Sequence, residues 1–181
     1  MPCKQKAKGN NFERKVCDLF SEVFGLNFER TPTSGAFVGG KNAARLSRLS
    51  NSQTLLVRGD IIVPDELSNL IIECKSRKDF TFHQLLQGDC TELNKWLGQV
   101  IIDFKKCGEV GIFLVLFKIN QKGIYVVYPR LSDLELLPKQ NVLHYTYKDS
   151  ENVEEVFNII QYSDEWLKYN ENNFLKICKK E

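Results

Sequence analysis

Two short stretches of this sequence decide its fold: Gly59-Asp60-Ile61-Ile62-Val63-Pro64 and Ile71-Ile72-Glu73-Cys74-Lys75. Both contain apolar, branched residues, and a turn-forming segment separates them, which predicts that they pair as a β-hairpin. Side chains alternate between the two faces of a strand, so Glu73 and Lys75 share one face and Cys74 takes the other. Pairing of the two runs would bring Asp60 next to Glu73.

If the two carboxylates and the ammonium meet in this way, their charges need a compensating partner, because the surrounding strand residues are apolar and buried charge is costly. A hard divalent cation bound by oxygen ligands would offset that cost, and Mg²⁺ suits a site with few carboxylates plus a substrate phosphate. The alternative is a cross-strand salt bridge on a solvated sheet face, which contributes only about 0–1 kcal/mol. The spacing of the three residues does not by itself decide between the two.

The composition is that of a soluble globular protein. The chain has 181 residues, of which 43% are apolar, 27% charged and 11% aromatic, which predicts one domain, or one domain with a helical appendage. No apolar run approaches the roughly 20 residues of a transmembrane helix, and the charged start lacks the apolar region of a secretory signal. The six cysteines include no Cys-x-x-Cys pair. We therefore expect free thiols in a reducing, cytosolic compartment, and neither a disulfide framework nor a zinc site.

Charge is unevenly distributed along the chain. Residues 1–80 hold 13 Lys and Arg against 9 Asp and Glu, whereas residues 81–181 hold 12 against 14. The segment from Thr31 to Gly59 contains no acid, and the segment from Asp149 to Glu171 carries seven acids with Lys168 as its one base. This asymmetry is typical of a protein that turns one face toward a polyanion, although ordinary solvated surface would explain either segment alone.

Periodicity predicts an α/β fold in which helices flank a mixed central β-sheet. The hydrophobic spacing is helical in Gly9–Phe24, Thr91–Lys106, Glu151–Gln161 and Asp164–Lys176. Apolar runs predict strands at Asn27–Thr31, Leu55–Val63, Leu70–Lys75, Gly111–Ile119, Gly123–Tyr128 and Val142–Tyr147. The polar stretch from Thr31 to Asn51 predicts a long loop. We expect a basic N-terminal arm over residues 1–8, a core over residues 9–148, and acidic helices over residues 149–181 that pack on the core.

Five short motifs occur in order along the chain: Lys8-Gly9-Asn10-Asn11-Phe12-Glu13-Arg14, Arg30-Thr31-Pro32-Thr33-Ser34-Gly35, Gly59-Asp60-Ile61, Ile72-Glu73-Cys74-Lys75, and Trp96 with Gln99. This series resembles the PD-(D/E)XK nuclease superfamily, in particular archaeal-type Holliday-junction resolvases and the resolvase-like nucleases of bacteriophages. The resemblance covers residues 8–118 and implies a restriction-endonuclease-like core. The stretch between Gly35 and Asp60 is longer than in the archaeal enzymes, and the region after Tyr128 lies outside the resemblance.

The resemblance implies a metal-dependent active site, in agreement with the residue pattern. Asp60 and Glu73 would hold Mg²⁺, for which Mn²⁺ could substitute, and the backbone carbonyl of Cys74 would be a further ligand. The metal would stabilise the charge of the transition state and lower the pKa of a bound water. Lys75 would orient or deprotonate that water, or neutralise developing charge.

Other residues are candidates for supporting roles. Glu13 would complete the metal site directly or through water, or else it is an exposed helix residue paired with Arg14 or Lys15. Ser34 would bond a phosphate or a ligand-bound water, or else it only forms a turn. Gln99, three residues after Trp96 on a helix, would face the site and support Lys75 or the phosphate. The candidates for DNA contact are the basic residues Lys8, Arg30, Lys41, Arg45, Arg48 and Arg58.

The resemblance implies a metal-dependent DNA endonuclease of the Holliday-junction resolvase type, which would cleave branched DNA. Symmetric cutting of two strands requires two active sites, so we expect a homodimer. The alternatives are a sequence-specific restriction-type endonuclease and a catalytically inactive DNA-binding module on the same fold. The expected partner is four-way or otherwise branched DNA and not a membrane, and the expected location is the cytoplasm, that of a bacterial host if a phage encodes the protein.

Overall fold

The computed structural model describes residues 4–32, 59–78, 80–106, 108–119, 123–149 and 151–179, with only the backbone described for residues 4–7. The helices are α1 (Lys4–Phe24), α2 (Phe82–Leu86), α3 (Thr91–Lys106), α4 (Asp164–Tyr169) and α5 (Glu171–Cys178), with a 3₁₀ turn at Asp65–Leu67. The strands are β1 (Glu29–Arg30), β2 (Ile61–Ile62), β3 (Leu70–Arg77), β4 (Ile112–Ile119), β5 (Gly123–Pro129), β6 (Val142–Lys148) and β7 (Glu154–Gln161). Within these ranges no helix combines the length and apolar character needed to cross a membrane.

Five of the strands form a mixed sheet in the order β3-β4-β5-β7-β6. Strands β3 and β4 are parallel and are connected through α2 and α3, whereas the other neighbours are antiparallel. All side chains of β4 but that of Lys118 are buried, as expected for a strand covered on both faces. The predicted α/β fold with a mixed central sheet is therefore confirmed.

Helices cover both faces of this sheet. Helices α1, α4 and α5 pack on the face that carries Ile72 and Leu114, with the buried side chains Phe20, Trp166, Leu167, Phe174 and Ile177. Helix α3 packs on the face that carries Ile71 and Phe113, with the buried side chains Leu93, Trp96, Leu97 and Val100. Because Ile71 and Ile72 are neighbours in β3, these contacts establish which face each residue of that strand occupies.

Helix α1 has an apolar stripe formed by Phe12, Val16 and Phe20, all buried against the sheet. The helix begins at Lys4, ahead of the predicted start at Gly9, so Lys8 lies within it. It ends where Gly25 adopts a φ of 63° and donates its N–H to the Ser21 carbonyl at 2.9 Å. A glycine in the left-handed region directly after the last helical residue is a common way for a helix to end.

The prediction that the runs containing Asp60 and Glu73 pair with each other as a β-hairpin is wrong. Strand β2 pairs with β1 in antiparallel register, Arg30 opposite Ile61, and β3 takes β4 as its strand partner. An eight-residue apolar strand offers β3 a far longer ladder than the two residues of β2. Asp60 nevertheless reaches β3, because its N–H donates to the Ile72 carbonyl at 2.9 Å.

The helix predicted over Glu151–Gln161 is also wrong, because Glu154–Gln161 is strand β7. Phe157, Asn158, Ile159 and Ile160 are all buried, and β7 lies between β5 and β6. A central strand is covered on both faces, so its apolar residues are consecutive and can be mistaken for the buried stripe of a helix.

The single helix predicted over Asp164–Lys176 is two helices that meet at Asn170. The buried Asn170 amide donates to the Glu135 carbonyl at 2.9 Å and accepts the Glu135 N–H at 2.9 Å. These bonds tie the junction of α4 and α5 to the loop before β6. Side-chain bonding to a distant backbone is not visible in local periodicity.

Candidate active site

Strand β3 places Glu73 and Lys75 on the face that is turned toward α3. Ile71, two residues earlier, packs against α3, and residues two apart share a face. The Lys75 ammonium donates to Glu73 Oε1. The two side chains are 24% and 17% exposed, for Lys75 and Glu73 respectively, so this ion pair is partly buried at the edge of the sheet.

Asp60 is held against β3 by two backbone contacts. Its own N–H donates to the Ile72 carbonyl, and its Oδ2 accepts the Cys74 N–H at 2.8 Å. Gly59 makes this approach possible: its φ is 66°, and a Cβ at that position would lie 2.5 Å from the Ile72 oxygen. Only glycine fits there without strain. The Gly-Asp pair of the motif thus positions one carboxylate beside the strand of Glu73 and Lys75.

Burial and neighbouring carboxylates raise the pKa of Asp60 from 3.8 to about 7. Burial is the largest cause, followed by repulsion from Glu73 and, more weakly, from Glu13. The Cys74 N–H and the Lys75 ammonium act in the opposite direction. The site therefore has an excess of negative charge that its own cations do not fully balance.

The remaining groups on β3 respond differently. Burial alone would lower the pKa of Lys75, but attraction to Glu73 and Asp60 outweighs it, and the pKa is raised. Burial, together with the carboxylates of Asp60 and Glu73, raises the pKa of the Cys74 thiol. That thiol lies in the hydrophobic core on the opposite face of the strand. The side chain of Cys74 is thus a packing group, and its backbone serves the site.

Glu13 lies on the buried side of α1 and forms an ion pair with Arg30, whose Nη1 is 3.0 Å from Glu13 Oε2. Arg30 Nη1 also donates to Asn10 Oδ1 at 3.5 Å. The alternative of an exposed Glu13 paired with Arg14 or Lys15 is therefore wrong. Because the register places Arg30 opposite Ile61, β1 carries this ion pair to the strand that follows Asp60.

A preformed metal centre is not found: among the described residues, no cluster of three or more His, Cys, Asp and Glu side chains is arranged to hold an ion. Glu73 is engaged by Lys75 and Glu13 by Arg30. The oxygen donors at the edge of β3 nevertheless fit a divalent cation, since Asp60 and Glu73 supply two carboxylates with excess negative charge. The Cys74 N–H points to the edge of β3 where Asp60 lies, and in a strand the carbonyl of a residue points to the same edge as its N–H. Such a donor set suits a cation that keeps waters and shares a substrate phosphate.

The other candidate residues are placed as follows. Gln99 lies on α3, and its amide donates to Asp103 Oδ2 at 2.7 Å in an exposed contact. Trp96, its companion in the motif, is buried in the core between α3 and the sheet. Lys8 is exposed in α1. Ser34, Lys41, Arg45, Arg48 and Arg58 lie outside the described residues, as does the predicted Thr31–Asn51 loop beyond Pro32.

The ion-pair partner of Glu13 differs from the one predicted from the sequence. Arg30 is a candidate for DNA contact in the sequence, and the structure shows it in an ion pair 17 residues away along the chain. The helical spacing of Asn10 and Glu13, three residues apart, is the local signal that both face one group. The backbone contribution of Cys74 to Asp60 has no signal in the sequence at all.

Comparison with known proteins bears on this site. A family model described as "Phage putative PDDEXK endonuclease" matches residues 4–176. No curated protein matches the sequence, and no solved structure matches it either. The family match includes Glu13, Asp60, Glu73 and Lys75 and extends well beyond residue 118, where the motif resemblance ends. The chain therefore belongs to this family of phage PDDEXK endonucleases, and with it to the PD-(D/E)XK nuclease superfamily.

Proposed function

We propose that the protein is a Mg²⁺-dependent DNA endonuclease that cleaves branched DNA as a homodimer, in the manner of a Holliday-junction resolvase. Family membership implies the nuclease activity, and PD-(D/E)XK nucleases generally use divalent metals. The observation that carries the proposal is the bond from the Cys74 N–H to the Asp60 carboxylate, which gathers Asp60, Glu73 and Lys75 at one edge of β3.

Each residue of the site has a role in the proposed reaction. When bound, a divalent cation supplies a Lewis acid that stabilises charge on the scissile phosphate and lowers the pKa of water. Asp60, Glu73 and the Cys74 carbonyl are the oxygen donors that would hold it, and Glu13 would complete the site directly or through water. The Lys75 ammonium orients the attacking water or neutralises charge on the phosphate.

The choice of branched DNA rests on the motif series, which follows the order found in resolvases. One chain carries one set of Asp60, Glu73 and Lys75, so symmetric cuts in two strands need two chains. Lys8 and the bases of the acid-free segment would contact the DNA backbone, which positions the nucleic acid without reading its sequence. We place this activity in the cytoplasm of a bacterial host, where a phage enzyme meets its DNA.

The test is a cleavage assay on a four-way junction and on a linear duplex assembled from the same arms. Each substrate is incubated with Mg²⁺, with Mn²⁺, with Ca²⁺ and with EDTA, and Glu73→Gln is the control for a contaminating nuclease. Paired cuts near the branch point that need Mg²⁺ or Mn²⁺ and are absent with Glu73→Gln would support the proposal. Sedimentation of the protein with and without the junction gives the number of chains.

The alternatives predict other outcomes of the same assay. Cleavage of the linear duplex at one sequence, regardless of branching, would favour a restriction-type endonuclease. Binding of either substrate without cleavage under any metal would favour an inactive DNA-binding module. A monomer that cuts one strand of the junction would overturn the homodimer part of the proposal alone.

A further inference from the structure

The face of β3 that carries Glu73 and Lys75 continues to Arg77. The three residues are two apart in one strand, so their side chains form a single row with about 6.6 Å between steps. Side-chain exposure rises along this row from 17% at Glu73 to 24% at Lys75 and 47% at Arg77. The row therefore leads from the partly buried acidic site out to solvent, and its two outer members are cations.

Two contacts with α3 hold the Arg77 guanidinium. Its central carbon lies 5.8 Å from the centre of the Trp96 ring, and Nη2 lies 3.4 Å from Glu92 Oε2. Trp96 is buried and stacks on Phe80, with ring centres 5.6 Å apart, so the ring under Arg77 is firmly packed. A cation over an aromatic face keeps its in-plane donors available for another ligand.

The bond from Arg77 to Glu92 is weak enough to be exchanged. It is long, and Glu92 is 45% exposed, so water competes for both partners. Exposed pairs of this kind contribute little to stability. A phosphate would offer the guanidinium two oxygens in a bidentate arrangement, which makes a stronger hydrogen-bonded pair than this single contact.

We propose that Arg77 binds the DNA phosphate adjacent to the scissile one and exchanges Glu92 for it when DNA binds. The inference rests on the proposed function, because it takes Lys75 as the residue at the scissile phosphate. Arg77 is then a positioning residue: it places the backbone along β3 so that one phosphate reaches Lys75. Of the residues that sequence reasoning named for DNA contact, none lies on this row.

The first test is DNA binding in EDTA, which separates binding from cleavage. Fluorescence anisotropy with a fluorescein-labelled four-way junction and a matched duplex would compare the parent with Arg77→Ala and Arg77→Lys. We expect Arg77→Ala to weaken binding about tenfold, the effect of one charge-assisted hydrogen bond. The slope of log affinity against log salt on duplex should fall by about 0.9, as expected when one phosphate is no longer neutralised. The DNA affinity of Arg77→Lys should lie between those of the parent and Arg77→Ala, because lysine keeps the positive charge and loses the planar guanidinium.

Lys106→Ala is the matched control. Lys106 also lies in an exposed ion pair on α3, with Asp103 at 3.1 Å, and it carries the same charge. Its removal should leave affinity within about twofold of the parent, since a distant exposed charge is screened by salt. Urea unfolding of each variant shows that the comparison is between folded proteins. Equal affinity and salt slope for Arg77→Ala and the parent would overturn the inference.

Glu92→Gln distinguishes a DNA contact from a merely structural ion pair. If Glu92 competes with phosphate for Arg77, this variant should bind DNA more tightly than the parent, and the gain should disappear in the double variant with Arg77→Ala. If Arg77 only anchors Glu92, the variant should lose stability and gain no affinity, which would overturn the inference.

The adjacent phosphate is identified by single methylphosphonate substitutions, each of which removes one backbone charge. The cut is first located by cleavage with the parent protein and Mg²⁺. Arg77→Ala should cause no further loss of affinity on the DNA that is neutral at the phosphate next to the cut, and should cause its full loss elsewhere. An equal loss at every position would overturn the assignment. Absence of cleavage by the parent would count against the proposed function, while the binding experiments in EDTA would still judge whether Arg77 contacts DNA.

Discussion

Glu13 on α1 and Arg30 on β1 lie 3.0 Å apart in a partly buried ion pair, and Glu13 is one of the carboxylates that raise the pKa of Asp60. The pair links the first helix to the strand beside β2, and it keeps an acidic residue of α1 close to the site. Arg30 balances Glu13 in the metal-free protein. If Glu13 joins the proposed metal site, a bound cation would compete with Arg30 for the Glu13 carboxylate, and the pair would then connect stability to metal binding.

This connection predicts different effects of two substitutions that each remove one charge. Glu13→Gln should raise the Mg²⁺ concentration needed for half-maximal cleavage, because one anionic oxygen near the metal is removed. Arg30→Gln should lower the free energy of unfolding by about 1–3 kcal/mol, because it removes the guanidinium that forms an ion pair with the buried Glu13 carboxylate. Metal titration of the cleavage rate and urea unfolding measure the two effects. Full activity and an unchanged metal dependence for Glu13→Gln would remove Glu13 from the site.

Substitutions of Glu73 and Lys75 on β3 should reduce DNA cleavage without a comparable loss of DNA binding. Glu73→Ala or Lys75→Ala should reduce the cleavage rate by at least about 10³, while DNA affinity in EDTA stays within a few-fold of the parent, because in the proposed reaction these groups act on the transition state. Single-turnover cleavage and anisotropy provide the two measurements. A folded variant that loses binding and cleavage together would instead assign the residue to DNA contact.

Asp60→Asn should stabilise the metal-free protein at neutral pH. The pKa of Asp60 is about 7 in the folded protein and near 3.8 when exposed, so folding takes up a proton between these values. Stability from this group is therefore present at low pH and decreases as the pH rises from about 4 to about 7. Asparagine keeps the oxygen that accepts the Cys74 N–H and cannot ionise.

The measurement for this variant is urea unfolding in EDTA from pH 4 to pH 8. The difference between Asp60→Asn and the parent should be small at pH 4 and should reach on the order of 1–4 kcal/mol in favour of the variant at pH 8, since one pKa unit is about 1.4 kcal/mol. Saturating Mg²⁺ should stabilise the parent more than the variant. A difference that does not change with pH would show that Asp60 is ionised in the folded protein over the whole range.

Gly59→Ala should damage both stability and catalysis. The φ of 66° costs a non-glycine residue about 1–2 kcal/mol, and the added Cβ would lie 2.5 Å from the Ile72 oxygen, which displaces Asp60 from β3. Gly25→Ala is the matched control, because Gly25 has a φ of 63° and open space around its Cβ position. We expect the control to lose stability only and to keep the cleavage rate. Equal effects of the two changes on catalysis would show that the close approach of Gly59 does not position Asp60.

The acid-free segment from Thr31 to Gly59 carries a prediction from its charge alone. Neutralising Lys41, Arg45 and Arg48 together should weaken DNA binding and lower the slope of log affinity against log salt by about 0.9 for each phosphate that is no longer bound. The loss of affinity should be similar for different base sequences, because phosphate contacts carry little sequence information. A parental salt slope in the triple variant would exclude backbone contact, and a loss confined to certain sequences would favour a restriction-type enzyme.

Local patterns were sufficient for much of the fold. The bounds of α3 follow from its apolar spacing, and β4 follows from a run of apolar residues too long to be covered on one face only. Alternation along β3 was enough to place Glu73 and Lys75 on one face and Cys74 on the other. These features depend on neighbours within a few positions, where backbone geometry imposes a period of two or of 3.6 residues.

Only the tertiary structure decided which segments meet. It gave β3 the partner β4 in place of β2, and it made Glu154–Gln161 a central strand where the pattern indicated a helix. It joined Asp60 to the Cys74 backbone across 14 residues and Glu13 to Arg30 across 17. Such contacts form because segments distant in sequence bury their apolar surfaces against each other. The free energy gained by this burial exceeds the local preference of a segment for helix or strand. The residues of the site were visible in the sequence, whereas their partners, and the exposed row that leads to Arg77, exist only once the sheet is assembled.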